Sequence, residues 1–163
     1  MNREFLQKHG FEGFVTIGEL MTGTWSQIPA QMGVYVVLRE SEAVPHFLPK
    51  GTGGFFKGDP NVPIAELEAH WVKGAEVVYI GKAGGFGISA TLQKRLRLYL
   101  RFGQGRAVGH RGGRYIWQLS DSQKLVVCWR TLTDEDPRDV ERKMIADFKA
   151  AHEGKRPFAN LID

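Results

Sequence analysis

The stretch from Lys94 to Arg114 carries Lys94, Arg95, Arg97, Arg101, Arg106, Arg111 and Arg114 and no acidic residue. Such a run is either a solvated face or a phosphate-binding surface, and the absence of interspersed acids favours phosphate. Arg95 and Tyr99 stand four residues apart, so on a helix they share one side and can address one site. A guanidinium in that place is always charged and can hold two oxygens of a phosphate at once. Further along, Ile145 and Phe148 follow Glu141 at i+4 and i+7, which sets a carboxylate along an apolar stripe rather than opposite a lysine. Its bland alternative is a surface ion pair with Arg138 at i−3, which contributes little.

His110, Arg111, Arg114, Tyr115 and Trp117 form a second cluster, cationic and aromatic, that could grip a sugar-phosphate backbone and stack on unpaired bases. Trp117 is as well suited to a core. Gly84, Gly85 and Gly87 lack the lysine and serine spacing of a nucleotide-binding loop, so they read as a turn that leaves space for DNA. The five histidines are scattered without paired ligand spacing, and Cys128 is the single cysteine. A zinc site is therefore not expected, and neither an internal disulfide nor a disulfide-linked partner.

The elements that must position these residues come next. At 163 residues the chain is expected to form one domain, residues 1–163. Hydrophobic residues at 42% and charged residues at 25% are ordinary for a globular protein. The net charge of +4 suits a polyanion without demanding one. No apolar run approaches the roughly 20 residues of a membrane span, and no signal-peptide pattern is present, so the expected location is the cytoplasm, away from membranes.

Residues 1–31 read as an amino-terminal extension with a short helix or two. Residues 32–39, 76–81 and 125–130 are short β-branched runs that read as strands. Residues 41–75 form an insertion, whose part up to residue 63 is loop chemistry with four prolines, followed by a short helix over 64–71. Ser89 or Thr91 can cap a helix reaching Phe102, with Leu92, Leu96 and Leu100 as its buried stripe. The last helix is marked by Asp136 as N-cap, Pro137 in the first turn and Gly154 as its stop. Residues 109–119 are not assigned to helix or strand. The expectation is an α+β fold with a small, mainly antiparallel three-stranded sheet flanked by helices.

Gly33-Val34-Tyr35 on the first strand and Tyr79-Ile80-Gly81 on the second, extended by Lys82-Ala83, resemble the two half-motifs of the GIY-YIG nucleases. Arg95 matches the arginine on that family's first helix, and Tyr99 a common tyrosine one turn later. Glu141 falls where the family has its metal-binding glutamate, and Asn160 in Arg156-Pro-Phe-Ala-Asn-Leu matches its closing asparagine. The resemblance covers residues 33 to 163; the gap between the half-motifs is longer here than in compact members.

The resemblance implies a GIY-YIG-like fold and a divalent-metal-dependent DNA endonuclease of repair, recombination or defence. Glu141 would hold Mg2+ or Mn2+, Arg95 the scissile phosphate, and Tyr79 would act as base, with Tyr35 orienting water or phosphate; swapping the two tyrosines is open. Lys82 and Arg95 would favour a phenolate, Tyr99 would join the site, and Asn160 would set the position of a catalytic group. Lys94, Arg97, Arg101, His110, Arg111 and Arg114 would bind DNA. The alternative is a nucleic-acid-binding module on the same fold without catalysis. The oligomeric state is left open.

Overall fold

The computed structural model describes all residues except Thr24, Arg111 and Asp163. Its elements run α1 (Arg3–Lys8), β1 (Glu12–Thr16), α2 (Ile17–Met21), β2 (Gly33–Leu38), α3 (Ile64–His70), β3 (Val77–Ala83), α4 (Leu92–Gly103), β4 (Val126–Thr131) and α5 (Pro137–Ala151). The class is α+β, as expected, but the sheet has four strands rather than three. They lie in the order β1-β4-β2-β3, and every neighbouring pair is antiparallel.

The additional strand comes from the amino-terminal extension. β1 pairs with β4 at the sheet edge, with a register shift between Gly13 and Val15. It is short, bulged and only partly buried, so no alternation of apolar and polar residues marks it in the sequence. α1 and α2 account for the helices expected there; α2 carries a capping box between Thr16 and Glu19.

β2 is buried along its whole length, and its side chains alternate between two cores. Tyr35 and Val37 face Leu92, Leu96 and Tyr99 of α4. Val34, Val36 and Leu38 face Met144, Ile145 and Phe148 of α5, together with Leu6 of α1. α4 and α5 therefore cover opposite faces of the sheet, and β3 is the edge strand between them.

Both long helices start where the sequence says. The Thr91 hydroxyl accepts from Lys94 N–H at the start of α4, and the Asp136 carboxylate accepts from Arg138 N–H with Pro137 in the first turn of α5.

The insertion has no strand before α3, yet it is tied down. Leu48 N–H donates to the Gln118 carbonyl at 2.7 Å and Gly54 N–H to the Phe102 carbonyl at 2.8 Å. The buried Gln118 amide donates to the Leu48 and Val62 carbonyls and accepts from Val62 N–H. Phe47 from this loop stacks on Phe158 at 5.6 Å. Residues 114–118, left unassigned by pattern, form one turn of 3-10 helix whose Trp117 and Tyr115 are core.

Candidate active site

β2 and β3 lie side by side with Tyr35 opposite Gly81 and Val37 opposite Tyr79. Cross-strand partners share a face, so both tyrosines point toward α4. Gly81 is glycine for a spatial reason: a Cβ there would stand 2.4 Å from Cζ of Tyr35. Gly33 likewise lets the Arg130 backbone and Leu92 of α4 approach, since a Cβ would fall 2.2 Å from the Arg130 carbonyl oxygen. The glycines of the two half-motifs are what allow the tyrosines and α4 to close on one another.

The Tyr35 and Tyr79 rings meet edge-on at 5.9 Å. Tyr99 completes a trio, 6.4 Å from Tyr35 and 5.6 Å from Tyr79. Its hydroxyl donates to the Gly113 carbonyl at 3.1 Å. Tyr35 and Tyr99 are fully buried, whereas Tyr79 keeps 7% of its surface and forms part of a cleft wall.

That cleft, about 590 Å³, opens at the edge strand. Tyr79 and Lys82 come to it from β3, Arg95 from α4, Glu141 from α5 and Asn160 from the carboxyl-terminal segment, and Arg114 also lines it. The expected catalytic set is thus brought together, five members on the wall and Tyr35 and Tyr99 directly behind it.

Asn160 does not reach into the cleft to find its partners. Its Oδ1 accepts from Ile80 N–H at 2.9 Å and its Nδ2 donates to the Ile80 carbonyl at 2.8 Å. Ala159 N–H adds a bond to the Val78 carbonyl at 2.8 Å. An edge strand leaves one row of backbone groups unpaired; here the carboxyl-terminal segment fills that row and holds β3, with Tyr79 and Lys82, in place.

Burial raises the Glu141 carboxyl above the usual range, against the pull of the Lys82, Arg95 and Arg138 charges. Of these charges Lys82 and Arg95 act on Glu141 more strongly than Arg138. Burial also raises all three phenols. Arg95 and a hydrogen bond with Tyr79 work against it at Tyr35. At Tyr79 the neighbouring Tyr35 and Tyr99 add to burial and Arg95 opposes, leaving its proton held well above the ordinary value. Tyr99 is raised well above it too, by burial and then Tyr35.

Glu141 is the one carboxylate among the described residues that line this cleft, so an ion there would take it as its carboxylate ligand. That donor set fits magnesium or manganese completed by water and phosphate. It does not fit zinc, which wants several nitrogen or sulfur ligands.

Lys94, Arg97 and Arg101 are exposed on α4. Arg114 lies on the cleft wall, and Arg111 lies outside the described residues. His110 departs from its expected place on a DNA-facing surface, being 99% buried. Its ring packs on Tyr99 at 4.6 Å, and its Nε2 is 3.3 Å from the Tyr35 hydroxyl. Burial and then the Arg95 charge push its pKa down to about 3, so the ring is neutral at neutral pH. Spacing gave no sign of this, because the segment that carries His110 has no regular period.

Cys128 is buried in the core, and among the described residues no helix is long and apolar enough to cross a membrane. Comparison of the chain with protein-family models, with curated proteins and with solved structures returned no match.

Proposed function

We propose that the chain is a divalent-metal-dependent endonuclease of the GIY-YIG kind that hydrolyses phosphodiester bonds in DNA. The observation that carries this reading is the convergence of Tyr79, Lys82, Arg95, Glu141 and Asn160, from four separate segments, on one cleft. A core or a solvated helix face gives no reason for a desolvated carboxylate, a guanidinium and an ammonium to share a concave wall with a phenol.

Arg95 holds two non-bridging oxygens of the scissile phosphate, and Lys82 adds positive charge beside them. Glu141 is the protein ligand for the divalent ion, which when bound supplies charge at the phosphoryl and leaving oxygens. Water provides the attacking oxygen and its proton passes to the Tyr79 oxygen; the P–O bond to the leaving sugar oxygen breaks, and that oxygen takes up a proton from solvent. Tyr79 must first release its own proton, which its surroundings oppose. Arg95 and the site's other positive charge favour the phenolate, and the proton leaves to water in the cleft that Tyr79 lines, since the buried His110 ring, with its pKa pushed down to about 3, does not take it. Asn160 positions Tyr79 and Lys82 through Ile80.

The strong hold of Tyr79 on its proton favours a second reading, a module that binds nucleic acid without cutting it. Nicking of supercoiled plasmid with magnesium, by the wild type beside Tyr79→Phe, decides between roles. The account predicts a rate about a hundredfold lower or worse in the variant, the scale of general acid–base catalysis. Full turnover by Tyr79→Phe would remove Tyr79 as base.

A further inference from the structure

The turn that follows β3 holds the Phe86 side chain out into solvent, between Gly84 and Ile88, which line the cleft. Ile88 N–H donates to the Gly85 carbonyl at 3.0 Å, closing a four-residue turn with Phe86 and Gly87 at its centre. Gly87 has φ +76, which suits glycine at the third position of such a turn. Phe86 is 63% exposed and Ile88 60%, and Ile88 lines the cleft together with the exposed Ile162. A single exposed apolar residue needs no explanation, but Phe86 and Ile88 on one closed turn, with Ile162 lining the same cation-bearing cleft as Ile88, mark a binding surface.

The chemistry of that surface is two-sided. Arg95, Lys82 and Arg114 offer positive charge inside the cleft. Lys94, Arg97 and Arg101 continue it along the exposed side of α4, over about 10 Å of helix at a rise of about 1.5 Å per residue. That length suits a chain of phosphates better than a single phosphate group. Phe86 and Ile88 offer flat or branched apolar contact beside it. A ligand with repeated negative charge and exposed apolar faces is a nucleic acid strand whose bases are unstacked. In an intact duplex those faces are covered by neighbouring base pairs, and only the edges are open.

We propose that the cleft takes a single-stranded segment of DNA, with a base stacked on Phe86 and packed against Ile88 while the backbone lies along Arg95 and α4. The inference rests on the cleft being a nucleic-acid site, and it is independent of catalysis. Intact duplex is then the poorer ligand.

Fluorescence anisotropy in the presence of EDTA tests binding alone. The probes are a labelled strand of about twenty nucleotides, longer than one binding site, and the same strand annealed as a blunt duplex. The wild type is expected to prefer the strand. Phe86→Ala, a change at an exposed position, is expected to weaken strand binding by about five- to a hundredfold and to leave duplex binding little changed; Phe86→Trp should retain it. Equal affinity for strand and duplex, or unchanged strand binding in Phe86→Ala, overturns the proposal. So does loss in Phe86→Ala of binding to phosphatidylglycerol vesicles with strand binding intact, since the turn would then serve a lipid surface. Strand preference without cleavage in magnesium would sink the nuclease reading and leave this one standing; cleavage without the preference would do the reverse.

Discussion

Replacing Asn160 with alanine removes both side-chain bonds to Ile80, at 2.9 and 2.8 Å. The residue is buried, at 6% exposure, and the bonds themselves are buried, so the freed Ile80 N–H and C=O gain little access to water. Each unsatisfied buried group costs about 1–3 kcal/mol, and partial relaxation of an edge strand offsets some of this. The expected loss is about 2–4 kcal/mol, equivalent to a fall in Tm of about 5–15 °C for a chain of this size. Urea unfolding of wild type and Asn160→Ala measures it. Asn160→Asp is the informative companion. Its carboxylate can still accept from Ile80 N–H but sets an oxygen against the Ile80 carbonyl, so it should not restore the loss. A destabilisation of Asn160→Ala below about 0.5 kcal/mol, the scale of an ordinary surface change, would refute the claim that this amide holds the strand bearing Tyr79 and Lys82.

Two further outcomes follow from the cleft and the buried ring behind it. Because the His110 pKa is lowered from 6.5 to about 3, the unfolded chain binds a proton that the folded chain refuses. The stability that this histidine contributes is complete above pH 6.5 and declines as pH falls toward 3, by about 2 kcal/mol at pH 5. Urea unfolding at pH 7.5 and pH 5 should show that loss in the wild type and a correspondingly smaller one in His110→Gln; equal losses contradict the burial argument. Arg95→Lys keeps the charge but gives up the two-pronged grip, and one charged hydrogen bond lost corresponds to about a ten- to hundredfold lower cleavage rate. An unchanged rate in a plasmid-nicking assay would place Arg95 away from the phosphate.

Much of the frame was legible because its signals are local. Asp136 and Pro137 mark the start of α5, Thr91 and the leucines at 92, 96 and 100 mark α4, and the β-branched runs mark β2, β3 and β4. β1 was not legible, since a five-residue bulged edge strand with a glycine carries no clean period. The four prolines over residues 41–63 mark a stretch without helix or strand, but its anchoring depends on Gln118, far away in sequence. At the site, the order of the tyrosines, Arg95, Glu141 and Asn160 was readable, and their meeting at one cleft was not. That meeting depends on β3 being the edge strand between helices on opposite faces. His110 shows the limit most clearly. A histidine in a run of cations reads as surface, and only the packing of Tyr99 and Tyr35 around it makes it interior.

The central claim is that Glu141 and a divalent ion make this cleft a nuclease centre. It is tested most directly by titrating magnesium into supercoiled plasmid with wild type and Glu141→Ala, after circular dichroism has shown that both are folded. The account predicts nicking that rises with magnesium in the wild type, stops on chelation and is absent in the variant. Nicking by Glu141→Ala at the wild-type rate and with the same magnesium dependence would contradict it.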